Sequence, residues 1–174
     1  MYHPIKHFMT ITYHRILVMR YCFKLNLFCQ GLTHDLSKYS FTEFLNGAKY
    51  WTGKCSPNDI ERKNKGFSES WMHHKGRNKH HPEYWTDILE DGKYGPVLMP
   101  IKYLKESLCD RIAASKIYLK KEYNNSSALN YLLNSEKHLI MHPKSYNILK
   151  SWLELISIEG EKKAFKKIKK VKSY

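Results

Sequence analysis

The chain holds 174 residues, of which 42% are hydrophobic and 14% aromatic, a composition that supports one domain with a real core and excludes disordered, collagen-like and low-complexity classes. Its longest apolar run, at residues 16–19, falls far short of the roughly 20 residues that cross a bilayer, and no secretory signal opens it, so the expectation is a cytoplasmic protein with no membrane span. Thirty basic against 16 acidic residues leave a net charge of +14, which favours anionic partners.

In chain order, residues 5–25 place Ile11, His14, Val18, Tyr21 and Leu25 at intervals of three and four, the stripe of a helix facing a core. Gly31 interrupts, and a short helix over residues 32–38 is expected to carry His34 and Asp35 side by side. Ser40-Phe41-Thr42-Glu43 has the capping-box pattern, which gives Glu43 the role of a cap and opens a helix towards Trp51. Residues 52–58 are turn-rich, a charged segment runs to Lys65, and a helix after Gly66 reaches His74. Pro82 suits the first turn of a further helix over PEYWTDILE, ahead of a loop from Asp91 to Pro96. Pro100 then opens a long helix in which Ile101, Leu104, Leu108 and Ile112 form one stripe, and Asp110, Ala113, Ala114 and Ile117 a second. Residues 128–141 and 144–158 read as two more helices split by His142-Pro143.

No stretch sustains period-two alternation and no internal repeat is present, so the expected fold is all-α. It comprises a compact bundle of six to eight helices over residues 1–160 and a basic helix or tail over 161–174. That tail packs seven lysines, with Phe165, Ile168 and Val171 at helical spacing among them. It reads either as a helix docked on its own domain or as a surface for nucleic acid or an anionic membrane, with docking favoured. Cys22, Cys29, Cys55 and Cys109 lack CxxC spacing and are expected as reduced thiols.

Chemistry concentrates in the histidines. His14 lies on an apolar stripe, where its ring nitrogens need a hydrogen-bond partner or a metal ion, and the former is the commoner outcome for a single histidine. The adjacent His34-Asp35 pair can aim an imidazole and a carboxylate at one ion. Asp110 sits on an otherwise buried stripe, where an acid is costly unless paired with a base such as Arg111 or bound to a metal, and Ala113 and Ala114 leave room beside it. WMHHKGRNKHHPEYW gathers His73, His74, His80 and His81 around the Gly76 turn. His74 and His80 are the preferred ligands, the choice within each pair resting on helix phase. The others are left to cap helix ends or pack between Trp71 and Trp85.

GLTHDLSK, with His14 before it and LCDRIAASK after it, resembles the HD-domain superfamily of metal-dependent phosphohydrolases. That resemblance implies an HD-domain-like helical bundle in which His14, His34, Asp35 and Asp110 hold one divalent ion, with His7 an alternative first ligand. Cys109 stands where the superfamily often has alanine. Extra histidines between the doublet and the distal aspartate resemble the variant that holds a second ion bridged by the doublet's aspartate. The string GLTHDLSKYS, HHKGRNKHHPEYW and CDRIAASKIY is also similar to a family of small bacterial and phage proteins of unknown function, over roughly residues 5–160.

The resemblance implies a phosphohydrolase acting on a nucleotide or other small phosphoester through metal-activated water. One or two ions of Mn, Fe, Co, Mg or Zn would serve. Lys38, Arg111 and Arg77 are the candidates to neutralise phosphate. Two rivals stand beside this reading. One is a di-iron oxygenase built on the same donors, and the other a non-enzymatic basic helical module that binds nucleic acid.

Overall fold

A computed structural model describes residues 2–174. Nine α-helices carry the described chain, eight of them within residues 1–160: α1 Pro4–Lys24, α2 Phe28–Thr33, α3 Phe41–Tyr50, α4 Pro57–Lys65, α5 Glu69–Lys75, α6 Ile101–Leu119, α7 Ser127–Ser135, α8 Pro143–Glu159 and α9 Glu161–Lys170. Proline in the first turn starts α1, α4 and α8, where its missing N–H is not needed. Gly66 ends α4 in the left-handed conformation that a side chain resists. Among the described residues, no helix is long and apolar enough to cross a membrane.

The long helix α6 is the axis of the molecule and packs against α1, α2, α7 and α8. Its predicted apolar stripe is buried: Leu104, Leu108 and Ile112 are fully enclosed and share one core with Val18 of α1, Leu132 of α7, and Leu149, Leu153 and Ile156 of α8. Each such side chain contributes about 1.5–3 kcal/mol on leaving water. The second stripe of α6, with Glu106 and Asp110, turns instead towards α1 and the segment that follows α2, and this is where the polar centre forms.

The lysine-rich segment docks. Ala164, Phe165 and Ile168 of α9 are buried in the common core, with Phe165 stacked at 5.3 Å from Tyr21. Glu161 accepts hydrogen bonds from Tyr21 and Tyr123 and pairs with Lys116 at 2.7 Å, pinning the start of the helix. At the other end Lys105 donates to the carbonyls of Lys169 and Val171, and Tyr174 bonds to Ser145 and Met99.

Two expectations change. Residues 82–90 are not a helix: Pro82–Tyr84 make a single 3-10 turn, and β1 (Thr86–Ile88) then pairs antiparallel with β2 (Tyr94–Pro96), Asp87 opposite Gly95. The Trp85 indole donates to the Lys79 carbonyl and the Trp85 carbonyl accepts from Val97, which draws the chain into a hairpin rather than a helix. Gly92 takes the positive φ of the turn, and a Cβ on Gly95 would stand 2.8 Å from Leu89. The expected helix over 128–141 ends earlier, at Ser135, and gives way to a 3-10 turn over Glu136–His138. All four cysteines are free thiols.

Candidate metal centre

His34 and Asp35 do not ride on a short helix as expected; they form the break between α2 and a 3-10 turn over Leu36–Tyr39. His34 leaves α2 extended, with ψ 127°, and Asp35 is left-handed, with φ 53° and ψ 27°. Aspartate tolerates that region better than most side chains, but it remains a conformation that surrounding structure must impose. The bend is fixed by Arg15 of α1, which donates to the carbonyls of His34 and Leu32.

From this bend the Asp35 carboxylate, 1% exposed, reaches between two groups of donors. His14 of α1, His34, Asp35 and Asp110 of α6 form the first, each offering one atom within 4.8 Å of the others. Within it, His14 Nε2 lies 2.9 Å from Asp110 Oδ1, and His34 Nε2 lies 3.4 Å from Asp35 Oδ2. Asp35, His74, His80 and His81 form the second on the same criterion. There the other oxygen, Asp35 Oδ1, lies 3.3 Å from His74 Nε2 and 3.5 Å from His80 Nε2. One carboxylate thus faces two donor sets, one oxygen to each.

The supports behind these donors are carboxylates. Glu106, one turn before Asp110 on α6, places Oε1 2.9 Å from His34 Nδ1 and 3.2 Å from His80 Nδ1, one histidine from each set. Glu43 of α3 lies 2.7 Å from His74 Nδ1 and 2.6 Å from His73 Nδ1. Both arrangements leave Nε2 of the inner histidines free to face Asp35, the way an outer carboxylate fixes a metal-ligating imidazole. The reading of Glu43 as a cap therefore needs correction. Ser40 does accept from the Glu43 backbone N–H, but the Glu43 side chain turns to the histidines. Asn78 donates to the His74 carbonyl and to Ser37, tying the histidine loop to the bend.

The chemistry of this cluster asks for a cation. Asp35 Oδ1, His80 Nε2 and His81 Nε2 are buried without a hydrogen-bond partner, while Asp35 Oδ2 is paired with the Lys38 ammonium. Unpartnered buried polar atoms converging on one place are costly unless something else satisfies them. Burial pushes the Asp35 and Asp110 carboxyls up, but the surrounding histidines, with Lys38 beside Asp35, outweigh it and hold both well below the usual range. His34 is pushed down by burial and more strongly up by Asp35, Asp110 and Glu106, to about 10. Ionised carboxylates therefore draw positive charge into a buried space, and imidazole with carboxylate is a donor set that first-row divalent ions favour.

Six residues anticipated as ligands, His14, His34, Asp35, His74, His80 and Asp110, come together here. His81, left open by the sequence, joins them, with its ring edge-on to Trp71 at 4.7 Å. His73 is turned outward onto Glu43 and stands in neither donor set. His7 is absent from both as well: it lies against Gly47, where a Cβ would come within 2.2 Å of its Nε2. Lys38 Nζ is 2.6 Å from Asp35 Oδ2, at the edge of the cluster. Arg77 is exposed and donates to the His73 carbonyl, away from the carboxylates. Arg111 makes no ion pair among the described residues, and its Nε is buried without a partner. Asp110 pairs with the histidines rather than with Arg111.

Glu106 was missed by sequence reasoning, although an acid four residues before Asp110 on a buried helix was a usable signal. Beside the centre opens a narrow cleft of about 60 Å³, lined among others by Thr10, Lys38, Trp51, Ser56, His74 and Tyr118.

Comparison with known proteins gives one match. A family model described as "Family of unknown function (DUF5662)" covers residues 3–155, and the chain belongs to this family. No curated protein and no solved structure matches the chain.

Proposed function

We propose that this member of a family with no assigned activity is a metal-dependent phosphohydrolase of the HD type, acting on a small phosphoester. The observation that carries the reading is the Asp35 carboxylate, buried between two imidazole-rich donor sets with Oδ1 unpartnered and Oδ2 paired to the Lys38 ammonium. His14, His34, Asp35 and Asp110 would hold one ion, and Asp35, His74, His80 and His81 a second. Divalent ions bound there supply Lewis acidity towards phosphoryl oxygens and lower the pKa of water into the neutral range.

The chain's own residues do the remaining work. Glu106 and Glu43 hold the Nδ1 side of the inner histidines and so direct Nε2 towards Asp35, where a bound ion would take the place of the Nε2 proton. Lys38 keeps its charge: burial lowers its pKa, but Asp35 and Asp110 raise it further, so a fixed cation stands where a phosphoryl group would approach from the cleft. Such a preplaced charge favours the transition state over the ground state as negative charge develops. Among the described residues Arg77 and Arg111 form no ion pair with the carboxylates of the centre, so the reading rests on Lys38 rather than on them.

The test is phosphate release from a panel of nucleotides and simple phosphomonoesters by chelated protein reloaded separately with Mn, Co, Mg, Zn or Fe. Turnover with at least one metal, abolished in Asp35→Asn, is expected. Absence of turnover with every metal overturns the reading. A coloured, iron-loaded protein that consumes oxygen without releasing phosphate would assign it to oxygenase chemistry instead.

A further inference from the structure

The net charge of the chain is larger than the candidate centre can use, and α9 holds much of it. Lys162, Lys163, Lys166, Lys167, Lys169 and Lys170 are all exposed on this ten-residue helix. They stand at spacings of three and four, so neighbouring ammonium groups crowd one another at roughly 5–6 Å between Cβ atoms, an arrangement that disfavours an isolated helix. One acid, Glu159, answers them, pairing with Lys167, while Glu161 turns inward.

The fold nevertheless holds this helix rigidly, with Phe165 and Ile168 in the core, Glu161 anchored at one end and Lys105 on its last carbonyls at the other. The anchors also fix where the lysines point. α9 meets α6 through Lys105 and Lys116, whereas Glu106 and Asp110 face the metal centre from the neighbouring stripe, about 100° round the helix. The lysine face is thus separate from the cleft and does not serve a small substrate there.

We propose that the outward face of α9 is a docking surface for the phosphate backbone of nucleic acid. A bilayer surface is the weaker partner, because an interfacial helix needs its apolar face free to enter the lipid, and here that face is buried in the core. A polyphosphate backbone needs no apolar contact and is held by cations alone, read without sequence preference.

The experiment is fluorescence anisotropy of a labelled 20-base-pair DNA duplex with the full chain, across salt concentrations. Each neutralised phosphate adds about 0.9 to the slope of log affinity against log salt, so five or six contacts predict a slope of about −5. Changing Lys162, Lys166 and Lys169 together to Gln should reduce the slope by about 2.7. The same three changed to Arg should bind like the original, and Lys63, Lys93 and Lys137 changed together to Gln should leave the slope within about one unit of it. These positions are exposed, so circular dichroism should be unchanged throughout. An unchanged slope in the α9 Gln variant, an equal loss in the control triple, or no binding to the duplex at 50 mM salt overturns the proposal. So does tighter binding to vesicles containing phosphatidylserine than to the duplex. Because the readout is binding, it is independent of whether the centre hydrolyses phosphoesters.

Discussion

Glu106→Ala is the most informative single change, because this carboxylate supports one histidine in each donor set. Losing an outer-shell partner of a metal-ligating histidine typically costs 10–100-fold in metal affinity, or about 1.4–2.7 kcal/mol. With Glu106 gone, the Nδ1 atoms of His34 and His80, 2.9 and 3.2 Å from it, lose their shared acceptor in a buried site. Both steps of a manganese titration followed by calorimetry should therefore weaken, each by about 10–100-fold. Glu43→Ala touches only His74 of the inner donors and should weaken one step alone. Glu106→Gln, which keeps an acceptor oxygen but loses the charge, should fall between Ala and the original. Circular dichroism and thermal melting separate these effects from unfolding. If Glu106→Ala leaves either step unaltered while Glu43→Ala moves one, the bridging role given to Glu106 is wrong.

Asp35→Asn should lower metal content to near zero at both positions by elemental analysis, since the residue belongs to both donor sets; retention of a full equivalent would refute the shared bridge. Phe165→Ala should destabilise the fold by about 3–5 kcal/mol, read by urea denaturation, while leaving metal stoichiometry intact in the folded protein. The pH dependence follows from Glu161, whose carboxyl burial raises but Lys116, Tyr21 and Tyr123 lower further, leaving it below its ordinary value. A depressed carboxyl adds stability above its unfolded value, about 4.3, and loses it as pH falls through the folded value. The melting temperature should accordingly fall more steeply below about pH 4.3 in the original chain than in Glu161→Gln. Parallel curves would show that Glu161 contributes nothing there. Gly47→Ala should be markedly destabilising in thermal melts, because its Cβ would collide with His7, and a neutral result would mean the α1–α3 contact is looser than it stands here.

Much of this was legible in the sequence where a physical period exists to be read. Ile11, His14, Val18 and Tyr21 announced the buried face of α1, and the stripes of α6 separated its apolar side from the side bearing Asp110. What escaped lacks such a period. The left-handed bend at Asp35 is a single-residue event, so the His34-Asp35 pair could be seen while its geometry could not. Glu43 was misread because a capping box is satisfied by backbone and side chain separately, and the two parted company here. Three-residue strands are too short for alternation to register, and Pro82 argued for a helix it opens for only one turn. Among the four clustered histidines, long-range partners decide direction: Glu43 takes His73 outward, whereas Glu106 and Asp35 draw His80 in.

The docking of α9 bears on how the molecule meets proteases. Seven lysines between residues 160 and 174 offer trypsin its densest run of cleavable bonds, yet a protease needs extended backbone and α9 keeps its own folded against the core. Cutting within α9, at the six lysines before Val171, has to wait for the helix to lift away. The rate at which trypsin trims this end is then a clock for local opening, and any binder that shields the lysines, or any change that loosens Phe165, resets it.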